Sequence, residues 1–109
     1  MSRSNTKKWI KLDIDIPYGK VIALIVKMLK DFQLECLGFK VVQSNVYRSR
    51  HGNMHYRALT SPPTEIEDKH LALIQLILGD DPMRGWLNIA RTLKGVKNWN
   101  MLTWVVDER

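Results

Sequence analysis

The chain has 109 residues, with 17 Lys and Arg against 11 Asp and Glu, a formal net charge of +6 and a pI near 9.7. That length supports one domain with a two-layer core and not a second one, and the charge favours a polyanionic partner. No stretch approaches the roughly 20 apolar residues of a bilayer span, the opening Met1–Asn5 lacks the apolar follow-on of a signal peptide, and the single Cys36 rules out an internal disulfide or a cysteine-based zinc site.

Residues 1–6 are polar and read as a loose arm, with residues 7–109 as one domain. From Trp9 to Ile16 the chain alternates, with Ile10, Leu12, Ile14 and Ile16 on one face and Trp9, Lys11, Asp13 and Asp15 on the other, which predicts a half-buried strand. Pro17 stops it and can open a helix. Val21, Ile22, Leu24, Ile25, Met28, Leu29 and Phe32 then recur at three- and four-residue steps, while Lys20, Lys27, Lys30 and Asp31 fall mostly elsewhere. This is the pattern of an amphipathic helix of about four turns. Leu37–Val46 reads as a second strand, Arg48–Asn53 as a turn centred on Gly52, and Met54–Leu59 as a third strand with His55 and Arg57 on one face. After Ser61-Pro62-Pro63, Thr64 and Glu67 have capping-box spacing ahead of a helix over Ile66–Leu78. Asp80-Asp81-Pro82 caps a further helix to about Lys94, stopped by Gly95. Met101–Val106 is a last β-rich run.

This order predicts an α+β fold, a ferredoxin-like (RRM-like) βαββαβ two-layer sandwich with an extra helix before the last strand. One sheet face would be covered by helices and the other left open, because a face bearing Trp9, Lys11, Asp13 and Asp15 is costly to bury. With strand order 4-1-3-2, the end of the first strand meets the start of the third. Asp13 and Asp15 then approach His55 and Arg57, with Arg48, Arg50 and His51 at the same edge.

Two aspartates roughly 6 to 7 Å apart on one side of a strand could share Mg²⁺ or Mn²⁺ with water or a substrate phosphate. The same residues also fit a solvated, salt-bridged surface. Lys8, Trp9, Lys11, Arg48, Arg50, His51, His55 and Arg57 form a basic set with aromatics, the usual device for holding a nucleic-acid strand, and Tyr47 could stack on a base. Arg84, Arg91, Lys94 and Lys97, on or after the third helix with Arg84 and Arg91 seven apart on one side, form a second basic set whose first reading is a solvated helix face and whose alternative is a further phosphate contact. Trp86, Trp99 and Trp104 read as core or interface, and exposure of Trp99 and Trp104 would argue for a homodimer. No glycine-rich phosphate loop or serine nucleophile elbow is present.

The opening strand with its aspartate and proline, Ser49-Arg50-His51-Gly52-Asn53-Met54-His55, Leu78-Gly79-Asp80-Asp81-Pro82 with Arg84, and Asn100-Met101-Leu102 resemble a family of small, uncharacterised archaeal virus and plasmid proteins. A narrower set is similar to the catalytic core of archaeo-eukaryotic primases: Asp13 and Asp15 to its Asp-x-Asp strand end, Ser49 through His55 to its Ser-to-His element, and Asp107 to its final acid. The first resemblance implies a mobile-element protein in the host cytoplasm. The second implies metal-binding acids and a phosphate-contacting histidine, that is, nucleotidyl transfer with Asp13, Asp15 and His55 as catalytic groups. Antiparallel pairing, however, puts Asp107 near Lys8 rather than Asp13.

The expected function is therefore nucleic-acid binding, DNA more than RNA, through the open sheet face and the basic loop between the second and third strands, with no membrane and no cofactor other than the Mg²⁺ or Mn²⁺ that the aspartates could hold. The alternatives are a metal-dependent nucleotidyl-transfer or phosphodiester enzyme and a protein-interaction module acting on a host complex.

Overall fold

The computed structural model describes residues 6–100, in the order β1 (Lys8–Pro17), α1 (Lys20–Cys36), β2 (Lys40–Arg48), β3 (Asn53–Ser61), α2 (Asp68–Ile77) and α3 (Pro82–Leu93). The chain is an α+β protein with a three-stranded antiparallel sheet in the order β1-β3-β2. The predicted last strand, with Trp104 and Asp107, lies outside the described residues. None of the described helices is long and apolar enough to cross a membrane.

Alternation in β1 buries Ile10, Leu12 and Ile14 against Met54, Tyr56 and Ala58 of β3. Ile16 leaves this pattern and is exposed, because the pairing shifts register between Ile14 and Pro17. Ser49–Gly52 makes the predicted turn, and Gly52 takes φ +92°, a left-handed conformation that favours glycine. Asp81 caps α3 as expected, its Oδ2 accepting from Arg84 N at 3.1 Å. The Thr64–Glu67 capping box does not form: the Thr64 hydroxyl donates to Glu65 O, and α2 starts only at Asp68 with no side-chain cap.

The helix α1 turns a different side to the sheet than its apolar stripe suggests. Its buried residues are Ala23, Val26 and Leu34, while Val21, Leu24, Ile25, Met28, Leu29 and Phe32 are exposed. Two polar anchors account for this. Asp31 accepts from the Tyr56 hydroxyl at 2.6 Å and from Ser44 Oγ at 2.9 Å, and Lys30 Nζ donates to Leu78 O at 2.6 Å. Charged residues at positions 30 and 31 thus point inward, and the helix cannot roll to bury the stripe without orphaning them. Burial, reinforced by Asp31, holds the Tyr56 phenol far above its ordinary range.

Among the described residues, the outer edge of β1 is closed by the α2–α3 unit and Asn100. Trp9 O accepts from Asn100 Nδ2, Lys11 N donates to Gln75 Oε1, Lys11 O accepts from Arg84 Nη1, Asp13 N donates to Asp80 Oδ1, and Asp13 O accepts from Asp81 N. All five hydrogen bonds are 2.7–3.0 Å. The slot that the order 4-1-3-2 assigns to a fourth strand is therefore filled over Trp9–Asp13 by side chains of Gln75, Asp80, Arg84 and Asn100 and by the Asp81 N–H. This satisfies the outward backbone groups as a strand would.

Candidate functional site

On the face opposite α1, strand pairing sets Asp13 across from His55, Lys11 across from Arg57, and Tyr47 on the other side of His55. His55 is only 4 % exposed, and its Nε2 lies 3.5 Å from Asp13 Oδ1. The His55 hydrogen bond holds the Asp13 carboxyl below its usual range, against the opposing effect of burial and with help from the charges of Arg84 and His51. His55 Nδ1 is buried and has no hydrogen-bond partner among the described residues.

A cavity of about 440 Å³ opens at this corner, lined by Asp13, Ser49, Arg50, His51, Asn53, His55, Asp81, Met83, Arg84, Leu87 and Arg91. Four of the predicted residues, Asp13, Arg50, His51 and His55, are brought together here. Ser49 is fixed as part of the turn, its Oγ accepting from Asn53 N at 3.0 Å.

The wall contributed by α3 is what sequence reasoning missed. Arg84 was expected on a solvated helix face, but its side chain is 11 % exposed, and it spans Asp80 Oδ2 at 2.6 Å, Lys11 O and Asn100 Oδ1. Arg91 lines the cavity one heptad on and donates to Asn88 Oδ1. The seven-residue spacing of the two arginines was the available signal. Lys94 is not among the lining residues, and Lys97 lines a different cavity.

That second cavity, about 360 Å³, lies at the start of β1, between Lys7, Lys8, Trp9 and Lys11 on one side and Asp68, Leu71 and residues 97–100 on the other. The predicted basic set is thus divided between the two ends of one face. Arg57 stands between them, its guanidinium 4.4 Å from the centre of the Trp9 ring and 5.9 Å from that of Tyr47. Arg48 does not join them. It pairs with Met54 of the core, and residues paired across strands share a face, so Arg48 projects on the α1 side of the sheet, away from both cavities.

Asp15 is separated from Asp13 by the register shift. It is exposed, does not line the cavity, and accepts from Asn53 Nδ2 at 2.9 Å. Among the described residues, no group of three or more His, Cys, Asp or Glu side chains is arranged to hold a metal ion. Trp99 is core, and Trp86 is exposed on α3.

Lys11 sits at the centre of this electrostatics. Burial lowers its pKa, and the neighbouring charges of Arg57 and Arg84 lower it further. Like charges directly opposite on a sheet face destabilise it, and Lys11 faces Arg57 in register. No family model, curated protein or solved structure matches the chain.

Proposed function

We propose that the protein binds nucleic acid, DNA in the first instance, along the face formed by β1 and β3. The observation that carries this reading is the run of cations along this face: Arg57, set opposite Lys11, stands between one cavity lined by Lys7, Lys8, Lys11 and Lys97 and another lined by Arg50, His51, Arg84 and Arg91. Lys11 and Arg57 face each other directly across the strand pair, and a polyanion laid across them relieves their repulsion. The segment of β1 from Trp9 to Asp13, which connects the cavities, spans about 13 Å. A phosphate backbone following it meets Lys7, Lys8 and Lys97 at one end and Arg50, His51 and Arg91 at the other, and the exposed Tyr47 ring offers a stacking surface.

The β-α-β-β run in the order β1-β3-β2 is what the first three strands of a ferredoxin-like sandwich would give. We carry that topology as a proposal for this face, alongside the mobile-element setting that the motif resemblance implies. The groups that cap β1 over Trp9–Asp13 stand where that topology would set its fourth strand.

Fluorescence anisotropy with labelled single- and double-stranded oligonucleotides tests the reading. Affinity should fall log-linearly with salt, and Lys11→Ala and Arg57→Ala should each weaken binding and flatten the slope by about 0.7–0.9 for every phosphate that is no longer neutralised. Absence of binding to either oligonucleotide at about 50 mM salt would overturn the proposal.

A further inference from the structure

The apolar stripe that α1 turns away from the sheet follows a defined seam. Val21, Ile25, Met28 and Phe32 are spaced by four, three and four residues, and they are 74 %, 52 %, 62 % and 66 % exposed. At 100° per residue they fall within an arc of about 60°, directly opposite Ala23 and Leu34. Steps of four and three residues are those of a helix that pairs with another helix, and nothing else among the described residues covers this seam. We propose that the protein is a homodimer in which α1 packs antiparallel against α1 of a second copy. This goes beyond the nucleic-acid reading and does not depend on it.

Three features of the helix single out a second copy as the occupant. The first is size. With side chains of roughly 150–200 Å², the exposed fractions leave about 500 Å² of apolar surface on one helix, at the upper end of what monomers show. Two such surfaces facing each other remove about 1,000 Å² from water, the lower bound for a specific interface.

The second feature is self-complementarity. A two-fold axis midway between Val26 and Lys27 places Val21 opposite Phe32 and Ile25 opposite Met28. The smallest seam residue thus meets the largest, and the same patch serves both copies, as an isologous contact requires.

The third is charge. Lys20 at the start of α1 and Glu35 near its end are both exposed and lie on the same flank of the seam. Antiparallel pairing brings Lys20 of each copy to Glu35 of the other at both ends of the interface. A parallel two-fold pair would put the two copies' flanks on opposite sides of the seam and make neither contact.

The chain's own C-terminal residues are the competing occupant. Asn100 is fixed at the outer edge of β1, whereas α1 lies chiefly over β2, at the other side of the sheet.

Sedimentation equilibrium of the full chain tests the assembly. The expected mass at about 100 μM is twice the 12.7 kDa of the chain, whereas Ile25→Glu/Met28→Glu should sediment at the single-chain mass with its circular dichroism spectrum unchanged. A second set tests orientation. Lys20→Glu and Glu35→Lys should each raise the dimer dissociation constant several-fold, and the double variant, which restores opposite charges across the seam, should return it close to the wild-type value. A single-chain mass for the wild type overturns the proposal. So does a dimer that survives Ile25→Glu/Met28→Glu, or charge variants whose effects add instead of cancelling.

Discussion

Replacing Asp80 by alanine should be among the most damaging single changes in the molecule. Its carboxylate accepts from Asp13 N at 2.7 Å, from Asp81 N at 3.0 Å and from Arg84 Nη1 at 2.6 Å, and its side chain is fully buried. Burial raises the carboxyl's pKa, while Arg84 and the two backbone N–H groups pull it back. Asp80→Ala removes the acceptor and leaves the guanidinium of Arg84 buried without its counter-charge. Breaking a buried pair from one side costs about 3–5 kcal/mol, and the orphaned Asp13 N–H adds to this. Against a total stability of about 5–15 kcal/mol for a domain of this size, that is a loss of about 12–20 °C in melting temperature. Urea unfolding followed by tryptophan fluorescence and far-UV circular dichroism measures it. A double-mutant cycle with Arg84→Met isolates the pair, and we expect a coupling of about 2–3 kcal/mol. A cost below about 1 kcal/mol for Asp80→Ala, or single effects that add to within about 0.5 kcal/mol, would refute the reasoning.

Three further predictions concern the rest of the fold. The Asp13 carboxyl is held below 3.8 in the folded state, so the stability it contributes is present above its unfolded pKa and is lost as pH falls through the folded value. Asp13 is partly exposed and the effect is small, but the urea midpoint of wild type should drop more between pH 6 and pH 2.5 than that of Asp13→Asn; equal drops would mean that the His55–Asp13 pair does not stabilise the fold. Gly85→Ala would set a Cβ 2.5 Å from Leu76 Cδ1 and 3.2 Å from its Cγ; overpacking should outweigh the gain in helix propensity by about 1 kcal/mol, and a melting temperature at or above wild type would contradict this. Tyr56→Phe strips Asp31 of its 2.6 Å donor and should cost about 1.5–3 kcal/mol. In wild type, the Tyr56 step in absorbance at 295 nm should appear only on unfolding in alkali, and its appearance in the folded protein would show that the phenol is accessible.

The sequence made β1, β3 and α3 legible because their signals are local. Period-two alternation placed Ile10, Leu12 and Ile14, and the Asp81-Pro82 start and Gly95 stop bounded α3. Antiparallel pairing then brought Asp13 to His55 as strand order implied. What could not be read depends on partners distant in the chain. The roll of α1 is set by Tyr56, Ser44 and Leu78 O, none of which leaves a mark on the helix's own periodicity. Arg84 looked like a surface cation because nothing near it in sequence reveals that Lys11 O and Asn100 will need donors. The displacement of Asp15 required knowing that β3 pairs with Pro17 out of step.

A strand laid against another can slide by two residues and still satisfy its ladder, since the backbone repeats. The side chains that seal the outer edge of β1 do not repeat. Gln75, Asp80, Arg84 and Asn100 each reach one backbone group, and a slip of two residues would set Asp80 against Asp15, where β1 leaves register, or Asn100 against Lys7, before the strand begins. The α2–α3 unit therefore engages β1 like a key with unequal teeth, admitting one alignment. Because Asp13 belongs to the lock and Arg84 and Arg91 to the key, the spacing of charges in the corner cavity is fixed by the same teeth.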